Sequence, residues 1–128
     1  MRALLDTHAF LWLVGDPGRL GRQRSFIEDA AHELFVSAAS SWEISIKHAL
    51  GRLQLSEPPA RFVPRHLREA GLTGIAVEHS HALHAGSLPN HHRDPFDRLL
   101  IAQAMELRIP ILSADPAFDP YDVDVLHI

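Results

Sequence analysis

Ala3-Leu4-Leu5-Asp6 sets the reading of this chain: three apolar residues make a short buried strand, and a carboxylate closes it. The same order, a β-type run followed by a helical stretch, recurs downstream. Phe10 to Val14 reads as the helix after the first strand, and Arg22 to His32 as a polar helix carrying Phe26 and Ile27. Leu34-Phe35-Val36-Ser37 is a second strand. Ser40 to Leu50 follows as a helix, with Trp42, Ile46, Ala49 and Leu50 repeating on an apolar face and Gly51 where a C-terminal cap belongs. After the Pro58-Pro59 break, Phe62 to Ala70 makes a helix ended by Gly71. Gly74 to Val77 is a third strand and Ser80 to Gly86 a short helix. Pro95 to Leu107 has the clearest helix signals: Asp94 as cap, Pro95 in first position, and Leu99, Leu100, Ile101, Ala102 and Ala104 for the buried side. Ile109 to Leu112 is a fourth strand, and Val123 to Leu126 a candidate fifth.

Strands separated by helices imply a parallel sheet covered on both faces. The expected architecture is an α/β three-layer sandwich around a mainly parallel sheet of four to five strands. No repeat or long linker divides it, so residues 1–128 read as a single domain.

Bulk composition excludes several chemistries. The chain has no cysteine, which removes disulfides, thiolate zinc sites, iron–sulfur clusters and a cysteine nucleophile together. Met1-Arg2-Ala3-Leu4-Leu5-Asp6 is too short an apolar run for a signal peptide, and no stretch approaches the roughly 20 apolar residues of a membrane span. A cytoplasmic protein without membrane contact is the expectation. The net charge of −4 argues against binding nucleic acid through bulk charge. Yet Lys47 is the only lysine among twelve basic residues, and the arginine fork suits phosphate. Genomic base composition produces the same bias, so charge decides in neither direction.

Carboxylates are more informative. Ligands of open α/β sheets bind beyond the carboxyl ends of strands. Asp6 ends strand one, Glu43 lies near the start of the helix after strand two, Asp97 lies in the first turn of the long helix, and Asp115 follows strand four. Each has a structural alternative. Ser40-Ser41-Trp42-Glu43 has the form of a capping box, Asp97 complements a helix dipole, Asp94 caps a helix, and Asp115-Pro116 signals a turn. In conjunction they describe something else. Two carboxylates ~4 Å apart repel by about 4 kcal/mol at an effective dielectric of 20. A divalent cation removes that cost, and an all-oxygen donor set selects Mg²⁺ or Mn²⁺.

Four segments together resemble the VapC-type PIN-domain toxins. They are Leu4-Leu5-Asp6-Thr7-His8-Ala9-Phe10-Leu11-Trp12-Leu13; Val36-Ser37-Ala38 through Ser41-Trp42-Glu43-Ile44-Ser45-Ile46-Lys47 with Gly51-Arg52-Leu53; His91 to Ala104; and Ile111-Leu112-Ser113-Ala114-Asp115, where Thr more often stands at position 113. The resemblance implies a PIN fold, Mg²⁺- or Mn²⁺-dependent endoribonuclease activity, and the toxin role in a type II toxin–antitoxin pair. It also implies a homodimer that forms a heterotetramer or larger assembly with its antitoxin. Asp6, Glu43 and Asp97 would be the core metal-site acids and Asp115 the fourth, more variable one. Thr7 and Ser113 would orient carboxylates or water from behind them. Lys47, Arg52, Arg93 and Arg98 are candidate RNA phosphate contacts, and Phe10, Trp12 and Leu13 are candidates for an antitoxin groove or for core. Metal-activated water would attack the phosphodiester, with no histidine needed as base.

Rival readings meet specific obstacles. His79-Ser80-His81-Ala82-Leu83-His84 has metallo-hydrolase spacing, but Leu83 stands where the metallo-β-lactamase pattern wants Asp. A phosphatase of the haloacid-dehalogenase type requires Asp-x-Asp, and His8 occupies the second position. A receiver domain needs an acid after strand three and a lysine near it, whereas Lys47 lies on an early helix. His91-His92 reads as a solvated loop near the pocket. A non-catalytic PIN-like binding module remains the alternative, with retention of all four acids against it.

Overall fold

The computed structural model describes all of residues 1–128. Five strands form one sheet in the order β3-β2-β1-β4-β5, and every pairing is parallel. They are β1 (Arg2–Leu5), β2 (Glu33–Ser37), β3 (Thr73–Ile75), β4 (Ile111–Ser113) and β5 (Val125–His127). Ala3, Leu4 and Leu5 are fully buried. The alternation of a strand then sends Ala3 and Leu5 into one core and Leu4 into the other. On the first side lie Phe10 of α1 (Thr7–Gly15), Ile27 of α2 (Arg24–Glu28), Ile44 of α3 (Ala38–Ala49), and Phe62 and Val63 of α4 (Pro59–Glu69). The second side is closed by Leu88 after α5 (His79–Ser87) and by Leu100, Ile101 and Ala104 of α6 (Pro95–Leu107). This is the three-layer sandwich expected, with the sheet wholly parallel.

Several boundaries moved for identifiable reasons. The helix read over Arg22 to His32 is instead a 3₁₀ stretch, Pro17–Gln23, followed by α2 alone. The Asp29 carboxylate accepts from the Ala31 N–H at 2.9 Å, and this local turn competes with the helix and stops it. Pro59 starts α4 rather than breaking the chain before it, because the first helical turn needs no N–H. The face of α3 turned inward carries Ala39, Ser40, Glu43 and Ile44, whereas Trp42 and Leu50 are each 61% exposed. The apolar stripe read from the sequence therefore faces largely outward. On α6, Gln103 rather than Leu99 joins the buried side, and its amide donates to the Ala76 carbonyl at 3.1 Å where β3 has ended.

α3 and α4 give way to Gly51 and Gly71 at φ 73° and 67°, as their sequence positions suggested. α6 ends without a glycine: Arg108 takes the left-handed conformation at φ 56°. Replacing Arg108 by Gly is expected to stabilise the fold by about 0.5–1 kcal/mol, since a Cβ is disfavoured there. Urea unfolding of the variant measures this, and a loss of stability would contradict it.

Candidate metal centre

The chain builds β1, β2 and β3 outward in one direction and then crosses back to place β4 on the other side of β1. The switch point of the sheet is thus the gap between the carboxyl ends of β1 and β4, where ligands of open α/β sheets bind. Asp6 and Asp115 leave those two ends. Ser113 ties them together: its hydroxyl donates to Asp6 Oδ2 at 2.5 Å and accepts from the Asp115 N–H at 2.9 Å. The other Asp6 oxygen, Oδ1, accepts from the Ala9 N–H at 2.7 Å, so Asp6 also caps α1. That cap explains why α1 begins directly after the strand, three residues earlier than the sequence suggested.

Glu43 reaches the same rim from within α3. Its capping-box reading is overturned, because Ser37 is the true cap, accepting from the Ala39 N–H at 3.0 Å, and α3 is already under way at Ser40. Glu43 is only 4% exposed. Thr7 Oγ1 lies 2.6 Å from Glu43 Oε1 and 2.9 Å from Ser40 Oγ. The Thr7 hydroxyl has a single proton, and the shorter contact to the carboxylate takes it. Lys47 Nζ donates to Glu43 Oε2 at 2.5 Å. Lys47, expected on RNA phosphate, is turned here to the acid one helical turn away.

Asp97 completes the set from the first turn of α6. Asp94 is the cap, accepting from the Phe96 and Asp97 N–H groups at 2.9 and 3.0 Å. The Asp97 carboxyl is pushed up to about 8, first by burial and then by the charges of Asp94, Glu43, Asp6 and Asp115. Burial likewise raises Asp6, against the hydrogen bonds from Ser113 and Ala9. Asp115 is exposed, and its side chain accepts from the Ala117 N–H at 2.9 Å. All four predicted acids therefore share one electrostatic environment.

The balance of charge is lopsided. Five carboxylates, counting Asp94, lie within mutual influence, and Lys47 is bonded to only one of them. The side chains do not close as a ready-made cage of three ligands. They line an open rim of oxygen donors, and a carboxylate with one hydrogen bond per oxygen still has lone pairs free. Hard donors, excess negative charge and an open side together fit Mg²⁺ or Mn²⁺, ions that keep several waters. A cleft of about 380 Å³ opens beside Asp6 and Asp115, bordered by His8, Trp12 and Arg19. A second, of about 400 Å³ and more apolar, runs along Thr7, Trp12, Ile44, Lys47 and Leu53, with Arg52 at its edge.

Other sequence expectations resolve differently. Arg98, expected on phosphate, donates instead to the carbonyls of Ala85, Leu88 and Pro89 at 2.9 Å, with longer contacts to His92 O at 3.4 Å and Tyr121 Oη at 3.3 Å. It is a clamp between α6, the end of α5 and the loop that joins them. Arg93 is exposed. Of the groove candidates, Phe10 is fully buried and Leu13 borders a different cavity with Ile27 and Leu34, which leaves Trp12 beside the site. The histidines of α5 do not converge on one point: His81 is buried and its Nδ1 accepts from the Glu78 N–H at 2.9 Å, His84 lies 3.4 Å from Glu106, and His79 is exposed. His92 lies beside Asp97, as a loop near the pocket would, but it is not solvated. Its side chain is only 18% exposed, with Nε2 3.4 Å from Asp97 Oδ2 and Nδ1 2.9 Å from the Tyr121 hydroxyl. No spacing signal could have revealed a contact 29 residues along the chain.

Fold and rim together define an open parallel α/β sandwich with a cluster of carboxylates at its switch point. The PIN domain family model matches residues 3–124, and the chain belongs to that family. Among its relatives, Ribonuclease VapC22 of Mycobacterium tuberculosis is 34% identical over 106 residues, covering 80% of this chain and 78% of that one. Ribonuclease VapC16 of the same organism is 39% identical over 61 residues, which is 48% of this chain and only 43% of the relative's length. The fold matches that of VapBC2 from Rickettsia felis bound to a promoter DNA fragment, with a TM-score of 0.72 at 11% identity over 99% of this chain and 98% of that one. VapBC-1 from nontypeable Haemophilus influenzae gives 0.70 at 17% identity over the same shares.

Proposed function

We propose that this chain is a Mg²⁺- or Mn²⁺-dependent endoribonuclease and the toxin of a type II toxin–antitoxin pair. The observation that carries the reading is the gathering of Asp6, Glu43, Asp97 and Asp115 at the switch point, with Asp97 raised to about 8 first by burial and then by the neighbouring carboxylates. Kinship with proteins named as ribonucleases supports the substrate class. Asp6, Glu43 and Asp97 would hold the cation, with the exposed Asp115 at the outer side. When bound, such an ion acidifies a water, orients it toward the phosphodiester and neutralises charge on the leaving oxygen.

The chain's own residues prepare that chemistry. Ser113 and Thr7 donate to Asp6 and Glu43 and hold each carboxylate in one rotamer. Arg52 and Arg93, both exposed, are the arginines that would meet RNA phosphates. The partner is an antitoxin, a component of the VapBC assemblies that share this fold. An apolar antitoxin helix suits the cleft along Trp12, Ile44 and Leu53, with a basic side chain reaching the acids. A homodimer, joined by antitoxin into a heterotetramer or larger, is the corresponding assembly.

Single-stranded RNA is expected to be cut in Mn²⁺, spared when EDTA is added, and cut again when Mn²⁺ is restored in excess. Equal cleavage in EDTA would contradict the metal requirement. No helix is long and apolar enough to cross a membrane.

A further inference from the structure

We propose that Tyr121 and His92 are positioning residues for Asp97: the Tyr121 hydroxyl fixes the His92 tautomer, and so aims one hydrogen-bond donor at Asp97 Oδ2. The significance for metal binding rests on the reading of Asp97 as a ligand; the hydrogen-bond polarity does not.

The polarity follows from counting donors at the phenol oxygen. Tyr121 is 5% exposed. Its oxygen receives the His92 backbone N–H at 3.2 Å and an Arg98 Nη1–H at 3.3 Å. Neither donor can reverse its role, since a peptide N–H and a guanidinium only donate. Both donors converge on the phenol oxygen, the Arg98 hydrogen shared with His92 O at 3.4 Å, so a third donor from His92 Nδ1 would leave the phenol hydrogen without an acceptor among these contacts. What remains is its own O–H, and the 2.9 Å contact to His92 Nδ1 is where that hydrogen goes. An imidazole whose Nδ1 accepts carries its proton on Nε2. Nε2 lies 3.4 Å from Asp97 Oδ2. The relay thus runs in one direction, Arg98 to Tyr121 to His92 to Asp97.

Its consequence for Asp97 is orientation. A donor on Oδ2 resists rotation of the carboxyl and leaves Oδ1 free of that contact. At 3.4 Å the last link is the longest, so its effect belongs to affinity rather than to the fold. Partners behind a metal ligand typically change metal affinity ~10–100-fold, and the lower end fits here.

The test uses the whole metal-free protein. Long-range ¹H–¹⁵N spectra of the His92 ring are expected to show the proton on Nε2 in the wild type and a mixed population in Tyr121→Phe. Mn²⁺ titrated calorimetrically should bind about tenfold more weakly to Tyr121→Phe and to His92→Ala. His92→Gln, whose amide N–H occupies the place of Nε2–H, should recover most of that loss without altering Tyr121. A wild-type Nδ1–H tautomer, an unchanged tautomer in Tyr121→Phe, or a His92→Gln protein no better than His92→Ala would each overturn the proposal. A wild type with the Nε2–H tautomer that binds no Mn²⁺ would support the relay and overturn the metal reading instead.

Discussion

Asp97→Asn is expected to make the metal-free protein more stable at pH 8 while reducing RNA cleavage at least ~100-fold. Both effects have one origin. In the unfolded chain Asp97 ionises with its ordinary midpoint near 4; in the fold without metal that midpoint is about 8. Between these values the folded protein retains a proton that the unfolded chain releases. Stability therefore falls as pH rises from about 4 to 8, and the loss is complete above 8. The ceiling on the loss is about 5 kcal/mol, for a side chain 18% exposed. Asp6, also raised by burial, adds in the same direction. Asparagine keeps the shape of Asp97 and removes the charge, so its curve should be flatter across that interval. Thermal unfolding in EDTA from pH 5 to 9 measures the difference. Mn²⁺ should restore wild-type stability at pH 8 and leave Asp97→Asn unchanged. A wild type whose metal-free stability rises between pH 5 and 8 would contradict this account of the site.

Arg98→Met is expected to destabilise the protein by about 2–4 kcal/mol, more than loss of any surface charge should. The guanidinium donates at 2.9 Å to the Ala85 carbonyl in the last turn of α5 and to the loop carbonyls of Leu88 and Pro89, and also contacts His92 O and Tyr121 Oη. Methionine preserves the aliphatic stem but supplies no donor, so the part-buried carbonyls of Ala85 and Leu88 lose their partner. Lysine should rescue little, because one ammonium cannot reproduce a planar fork spanning several acceptors. The clamp also holds the loop that carries His92 beside Asp97, so Mn²⁺ affinity should fall along with stability. Urea unfolding decides the matter: a change under about 0.5 kcal/mol, the size of a surface substitution, would contradict the clamp.

The parts of the molecule most legible in sequence were those where local signals agree. Asp94-Pro95 opening α6, the apolar runs of β1 and β2, and the glycines after α3 and α4 each state their structure within a few residues. The strand–helix alternation then implied a parallel sheet, and the rule for its carboxyl edge located Asp6 and Asp115. What stayed hidden was set by competition or distance. The capping-box form of Ser40 to Glu43 was a false local signal, because Ser37, not Ser40, caps α3. Trp42 was placed inward because its period fitted, yet the site required Glu43 on that side. Arg98 looked like any helix-surface arginine, since nothing in the sequence indicates that three carbonyls between 85 and 89 fold back over it. Tyr121 and His92 meet only through the tertiary fold.

The central claim is that these carboxylates hold a divalent cation and cleave RNA through it. Its most direct test is Mn²⁺ binding and RNA cleavage measured on the same preparations of wild type, Asp6→Asn and Asp97→Asn. The account predicts that the wild type binds Mn²⁺ and cleaves, and that both variants remain folded but lose the two properties together. Undiminished cleavage in both variants would contradict it.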